Sequence, residues 1–327
     1  MIISRTPLRV SFFGGGSDLP SYYRRHGGAV LSVSIDKSVY VTVSRKFDDA
    51  VRVSYSRTEE VAHASKVEHP LVREALGLLN ITGGIEITSV ADIPASGTGL
   101  GSSSSFTVGL LNALYAHRGK MVSAATLAKE SCHIEIERCG EMIGKQDQYA
   151  AAYGGLNFLR FNSDETVEVK KAVCPAGTLD RLQQNLLFFY TGLTRSASAL
   201  LQRQSSDVGI AGTKSDATGA LVRLAEIAFE QIGKGDIASF GPLLDEAWQL
   251  KRSLTDGISN QLIDDAYAAA RKAGAEGGKV LGAGGGGFLM FYAPPERHAA
   301  IRSALSSLRE TPLAFANEGS SIIFVHQ

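Results

Sequence analysis

Residues 94–106, PASGTGLGSSSSF, constrain the fold of this chain more than any other segment. They follow a strand-like run, GIEITSV at 84–90, and pass directly into an apolar helical stretch, TVGLLNALY. Glycine and serine let backbone N–H groups crowd around an anion, the helix start adds partial positive charge, and the hydroxyls can cap the helix or ligate a metal. A flexible linker has a similar composition. A linker, however, needs neither a strand and a helix at its ends nor an apolar anchor such as Leu100 between Gly99 and Gly101. The loop is therefore expected to hold the phosphates of a nucleotide triphosphate. It is not a P-loop, since no GxxxxGK[ST] occurs, and a GxGxxG fingerprint fails because the third glycine is out of register.

Composition narrows the partners. The chain has 327 residues, 44% of them hydrophobic and 20% charged, enough for two compact domains or one large one. Lys plus Arg equals Asp plus Glu at 33 each, so no nucleic acid or anionic membrane surface is indicated and a charged substrate must be handled locally. No apolar run approaches the roughly 20 residues that span a bilayer, and the N-terminal MIISRTPLRVSFFGG lacks a cleavable leader pattern. The expectation is a cytoplasmic protein. Cys132 and Cys139 fall on one expected helix, roughly 10 Å apart by helical rise, too far for a disulfide. Cys174 stands alone, and no CxxC or CxxxH cluster offers a thiolate metal site.

The first ninety residues read mostly as strands: TPLRVSFFGG, AVLSVSI, SVYVTVS, VRVSYS and GIEITSV, in an antiparallel sheet. Helices are expected over 71–80 and 123–140. A turn-rich, charged run, RFNSDETVEVKKAV, places a soft boundary near 165, giving domains 1–165 and 166–327. Beyond it come a strand at 185–192, helices around 196–206, 216–233, 238–254 and 260–273, a strand at 286–292, a helix to about 309 and the strand SIIFVHQ. Strands and helices without regular alternation indicate an α+β fold.

Three further segments carry chemistry. GAGGGG at 282–287 is costly in conformational entropy and implies close backbone approach, read either as a ligand-facing loop containing Gly284 and Gly285 or as a tight bulged hairpin. RTPLRVSFFGGGSD puts Arg5 and Arg9 on one strand, with Asp18 after Gly14, Gly15 and Gly16, so that a substrate can lie against backbone while a carboxylate accepts its hydroxyl protons. In GKQDQYAAAYGG, Asp147 is either a general base or the N-cap of a helix.

These four segments, in this order, resemble the motifs of the GHMP small-molecule kinases across nearly the whole chain. GGGSDLPSYYRRHGGAVLSVSIDK, GKQDQYAAAYGGLNFLRF and YTGLTRSAS are similar to the branch that acts on D-glycero-D-manno-heptose 7-phosphate, and the L-fucose kinases share part of the pattern. The resemblance implies an N-terminal domain like ribosomal protein S5 domain 2, a C-terminal α+β domain, and an active site in the cleft between them. ATP and Mg2+ are the implied cofactors. ATP would lie on Pro94, Ser96, Gly97, Gly99, Leu100, Gly101, Ser102, Ser103 and Ser104, with the metal on Ser103 and on Glu135 or its rival Glu137. At a period of 3.6, position 135 shares the small-residue face of Ala128, Ser131, Cys132 and Cys139, which favours Glu135.

Asp147 matches the family's catalytic aspartate, Arg9 its basic residue, and Asp18 with Gly15 and Gly16 its sugar site. The implied partner is a small-molecule sugar phosphate, for whose phosphate Arg24, Arg25 and Arg195 are the preferred cations, with His26 and Lys145 also near. Any of them can instead be a solvated surface charge. The implied reaction is γ-phosphoryl transfer to an anomeric hydroxyl. A non-catalytic sugar and ATP sensor is the alternative of another class, and the oligomeric state stays open.

Overall fold

A computed structural model describes residues 1–94, 97–193, 200 and 212–326. Its larger sheet has eight strands. At the centre lie β1 (Ile2–Phe13) and β2 (Gly28–Arg45); β3 (Val51–Ser54), β4 (Thr58–Val61), β5 (Ile85–Ala91) and β12 (Ser321–Val325) complete the order β12-β1-β2-β5-β3-β4. β6 (Leu156–Phe161) pairs with β2 and with β7 (Val167–Lys171). Every pairing is antiparallel except that of β3 with β5. AVLSVSI and SVYVTVS, expected as two strands, form the single strand β2. It changes partners midway, residues 28–33 pairing with β6 and residues 39–45 with β5.

The boundary expected near 165 falls in the turn between β6 and β7, where Phe161 faces Val167. At the other end of the chain, β12 returns to lie beside β1, Val325 opposite Ile2. The first sheet therefore draws on both sides of that boundary. A second sheet has the order β11-β8-β10-β9, from β8 (Leu186–Tyr190), β9 (Gly277–Val280), β10 (Phe288–Tyr292) and β11 (Arg309–Glu310). The helix expected around 196–206 lies almost wholly outside the described residues.

The helices that position the site are α3 (Ser102–His117), α4 (Ala124–Cys132), α5 (Gln146–Tyr153), α7 (Thr213–Gly233) and α8 (Phe240–Arg252). Of the rest, α1 (Pro20–His26), α2 (Pro70–Leu78) and α6 (Thr178–Gln184) precede α7, and α9 (Gln261–Lys272) and α10 (His298–Ala304) follow α8. Gly109 lets α3 press onto β1: a Cβ there would stand 2.7 Å from Thr6 Oγ1, and Ser4 Oγ donates to Gly109 O at 2.8 Å. The helix expected over 123–140 divides. α4 ends at Cys132 and His133–Arg138 forms a π-helical turn, a device often found at functional sites.

Phe240 on α8 sets its ring edge-on to Phe12 and Phe13 of β1, with centroids 5.2 Å apart in each case. All three are buried, each contributing roughly 1.5–3 kcal/mol of transfer free energy. This contact draws the helices and second sheet of the C-terminal half onto the central strand of the first. The site lies at that junction.

Candidate active site

The phosphate-loop expectation rests on how α3 begins. Gly101 is its N-cap at φ 78°, a left-handed conformation that spares a side chain only at glycine. The first intrahelical bond in this turn runs from Ser105 N to Gly101 O at 3.0 Å, and no described side chain caps the N–H groups of Ser102, Ser103 and Ser104. Ser102 Oγ is buried with no partner among the described residues. Uncapped amides, a helix dipole and an orphaned hydroxyl form a cradle that suits phosphate oxygens. Leu100 is fully buried, the anchor its place in the loop requires.

Arg9 reaches this loop through a register shift in the β1–β2 ladder. Pro7 faces Ser38, Arg9 faces Ser34, and the irregularity lies between them. Proline cannot donate to the ladder, and such shifts re-aim the side chains that follow. Arg9 N donates to Leu100 O at 3.0 Å. Its guanidinium grips Asp147 through two bonds of 2.8 Å, from Nε to Oδ1 and from Nη2 to Oδ2, while Nη1 donates to Gly99 O at 2.6 Å. Arg9 is 4% exposed and Asp147 24%, so the pair is held from within and the carboxylate still meets solvent. Asp147 lies in the first turn of α5 and makes no cap, so the N-cap reading of this residue does not hold.

Asp18 is buried. It accepts from Gly16 N at 3.0 Å and Gln146 N at 3.2 Å. Burial raises its pKa, the Asp147 charge raises it further, and these backbone bonds draw it back. Gly144 makes room for it: a Cβ at 144 would fall 1.9 Å from Asp18 Oδ2. Gly15 is open, its nearest neighbours Gln146 Nε2 and Ser11 Oγ both 3.7 Å from the position of a Cβ.

Glu135, in the π-helical turn, is 1% exposed beneath the serines of α3. Ser104 Oγ donates to it at 2.7 Å, Thr107 Oγ1 at 2.8 Å and Ser103 Oγ at 3.5 Å, and Gln148 Nε2 also donates. Burial pushes its carboxyl up to about 7 against the pull of these bonds. Glu137 is exposed and pairs with His133 Nδ1 at 2.7 Å. Among the described residues no group of three or more His, Cys, Asp or Glu side chains could hold a metal ion. A magnesium ion shared with a nucleotide needs no such cage, because it keeps water and takes one or two carboxylates beside the phosphates. Ser103 with Glu135 fits that oxygen donor set.

Other expected residues sit differently. Gly284 and Gly285 meet the protein's own chain: a Cβ at 284 would lie 2.7 Å from Ile258 O, Gly285 N donates to Ile258 O at 2.9 Å, and Asn260 Nδ2 donates to Gly285 O at 3.1 Å. Close backbone approach is what that run shows, and the backbone it approaches here is the protein's own. Arg24 is tied at the surface to Glu165, Nε to Oε1 2.5 Å, in a cluster with Tyr23 and Lys145. Arg25 is exposed, as is Pro94. Arg195 and Ser96 lie outside the described residues.

Two cations escaped the sequence reading. Lys251 on α8 is 5% exposed and Lys279 on β9 is 3% exposed. Lys251 Nζ donates to Gly282 O, and Lys279 Nζ donates to Ser11 O at 3.0 Å and Phe12 O at 2.8 Å. The spacing Leu244, Ala247, Trp248, Lys251 is the buried stripe of an amphipathic helix, a signal that could have revealed Lys251.

A family model described as GHMP kinases N terminal domain matches residues 59–155, and another, GHMP kinases C terminal, matches residues 228–310. Together they take in more than half of the chain, which belongs to the GHMP kinases and is thus a phosphotransferase. A D-glycero-alpha-D-manno-heptose 7-phosphate kinase from Campylobacter jejuni is 27% identical over 320 residues, 93% of each chain. An L-fucokinase/L-fucose-1-P guanylyltransferase from Bacteroides fragilis is 26% identical, covering 96% of this chain and 37% of its own length. The crystal structure of a D-glycero-D-manno-heptose 1-phosphate kinase from Bacteroides thetaiotaomicron superposes with a TM-score of 0.81 over 100% of both chains at 24% identity, a likeness of fold. Among the described residues no helix is long and apolar enough to cross a membrane.

Proposed function

We propose that this protein transfers the γ-phosphoryl group of ATP to the anomeric hydroxyl of D-glycero-D-manno-heptose 7-phosphate, giving the 1,7-bisphosphate. One observation carries the reading: the Arg9–Asp147 pair abuts the uncapped start of α3. The position of a Cβ on Gly101 is 3.3 Å from Arg9 Cγ and 3.4 Å from Asp147 Oδ2. A triphosphate cradled by the amides of residues 102–104 would present its terminal phosphoryl group toward that carboxylate. Phosphoryl transfer depends mainly on positioning and charge neutralisation, with base catalysis a smaller factor.

In this reading Asp147, oriented by Arg9, accepts the proton of the sugar hydroxyl, whose anomeric position makes it more acidic than an ordinary alcohol. Asp18 and the open backbone at Gly15 hold the sugar. Ser103 and Glu135 would hold magnesium, which when bound supplies charge neutralisation at the phosphates. The heptose assignment is supported by the Campylobacter jejuni relative, a heptose 7-phosphate kinase by name, which matches this chain nearly end to end. A second reading, a sugar without a phosphate such as L-fucose, gains support from the engagement of Arg24 with Glu165, which withdraws one cation from the expected phosphate-binding set.

Incubation with ATP, magnesium and a panel of sugars separates them. The panel contains heptose 7-phosphate, heptose 1-phosphate, free heptose, L-fucose, galactose and mevalonate, and ADP release is followed. Heptose 7-phosphate is expected to give the highest kcat/KM, with the product phosphorylated at both ends. Preference for a free sugar would replace the heptose phosphate reading, and ATP binding without ADP release under any condition would point to a sensor.

A further inference from the structure

Among the described residues, Lys251 and Lys279 are the two buried cations of this site with no carboxylate in direct contact. Arg9 has Asp147 at 2.8 Å, and Lys279 is anchored to two carbonyls of β1. Lys251 has three donors, is 5% exposed, and among the described residues has one hydrogen-bond partner, the carbonyl of Gly282. That partner fixes where the ammonium sits. Gly282 is stacked on the phosphate loop, a Cβ on it lying 2.5 Å from Gly99 Cα, and Gly99 O also receives Arg9 Nη1. Lys251 thus stands one residue behind the phosphate cradle and within electrostatic reach of Arg9, Asp18 and Asp147. A buried ammonium with unfilled donors is expensive to keep unless an anion arrives to meet it.

We propose that Lys251 is a catalytic residue whose Nζ donates to the non-bridging oxygens of the phosphoryl group in flight, between the phosphate loop and the acceptor hydroxyl. The proposal rests on the kinase reading above, though not on the identity of the sugar. Arg9 spends three of its five N–H donors on Asp147 and Gly99 O, so Lys251 would add its own donors to the two that remain. Charge spreads over the equatorial oxygens of the transferring group, so a second cation beside the phosphate loop has oxygens to meet.

The state of the ammonium gives the test a second handle. Burial pushes Lys251 down to about 8, the Arg9 charge pushes the same way, and Asp18 and Asp147 oppose them. Lys279, on β9, is itself pushed well down by burial and then by the Lys251 and Arg9 charges. The group is charged below that pH and neutral above it, so a step that needs the cation weakens as pH rises through about 8.

The experiment compares wild type with Lys251→Met, Lys251→Arg and, as a structural control, Lys279→Met. Binding of ADP with magnesium is titrated with and without fluoroaluminate, a planar mimic of the phosphoryl group, which needs no acceptor; turnover is then followed against pH. In wild type fluoroaluminate should tighten ADP binding strongly. Lys251→Met should lose most of that gain while ADP affinity alone stays within about two-fold, and kcat should fall on the order of 100-fold or more, the loss typical of one missing transition-state donor. Lys251→Arg should fold, keep part of the gain and lose the alkaline limb, since guanidinium does not deprotonate there. Lys279→Met should leave the limb in place.

Undiminished fluoroaluminate enhancement in Lys251→Met would overturn the proposal, as would an alkaline limb near pH 8 surviving in Lys251→Arg. A wild type that shows the enhancement but phosphorylates a different acceptor would refute the heptose reading and leave the role of Lys251 supported.

Discussion

The two glycine-rich loops of this protein look alike in sequence and differ in what their backbones meet. In the loop ending at Gly101, glycines at 97, 99 and 101 adopt φ values of 73°, 77° and 78°, and the helix that follows begins with uncapped amides turned to the site. In the loop at 282–287 the glycines meet the protein's own main chain. A Cβ on Gly282 would collide with Gly99, one on Gly284 with Ile258, one on Gly286 with Leu193 and one on Gly287 with Thr98 O, 2.4 Å away. In the proposed reading the first loop offers its backbone to a ligand, while the second packs against the first. Glycine density reports close backbone approach; what is approached depends on whether the amides at the end of the run are left without partners.

If that division is right, changes on the side of the first loop should remove turnover, and changes in the second should lower stability first. The largest effect is expected for Asp147→Asn, which keeps the shape of the Arg9 contact but not the charge. Turnover should fall by about 10²–10⁴ while ADP affinity, measured by calorimetry, stays near wild type. Unchanged turnover would remove Asp147 from its role. Glu135→Gln comes next. The amide is nearly isosteric, so thermal unfolding should change little, whereas the magnesium concentration needed for half-maximal activity should rise roughly 10- to 100-fold. Unaltered magnesium dependence would place the metal elsewhere.

The packing between the loops can be broken directly. Gly282→Ala forces a side chain into Gly99 at a φ of 69° and should destabilise by about 2–4 kcal/mol in denaturant titration, with KM for ATP rising as the first loop is displaced. Gly99→Ala meets the same contact from the other side, through Leu281 O at 2.4 Å. The two should therefore combine to less than the sum of their separate costs, and full additivity would show that the loops do not share one contact. The smallest effect belongs to Gly15→Ala, whose Cβ finds only atoms 3.7 Å away. Stability should move by less than about 0.5 kcal/mol, and KM for the sugar should rise without change in KM for ATP.

Much of this arrangement could be read in the sequence because small residues and isolated charges are informative when they interrupt regular patterns. The strand, glycine-rich loop and helix around residues 84–117, with Leu100 as a buried anchor, were legible in that way, whereas the roles of Arg9, Asp18, Asp147, Ser103 and Glu135 came from the family resemblance. Helical phase selected Glu135 over Glu137, and burial separates the two in space, although the π-helical turn that carries them leaves no trace in periodicity. β2 was divided in two because Asp36 and Lys37 interrupt its apolar run, and a change of partner strand cannot be read from a strand's own residues. Lys251 and Lys279 were missed for a plainer reason: a lysine in a helix or strand is nearly always solvated, and only its position on the buried stripe says otherwise. Arg24 was misplaced by the converse fault, since its partner Glu165 lies far along the chain in the turn between β6 and β7.

The central claim is that the amides opening α3 receive a magnesium-bound triphosphate opposite Asp147. A crystal structure with a non-hydrolysable ATP analogue and magnesium tests it most directly. The phosphates should lie within hydrogen-bond distance of the N–H groups of Ser102, Ser103 and Ser104, with the metal on Ser103 Oγ and Glu135 and the terminal phosphate facing Asp147. Nucleotide density bound elsewhere, with those amides facing only water, would contradict it.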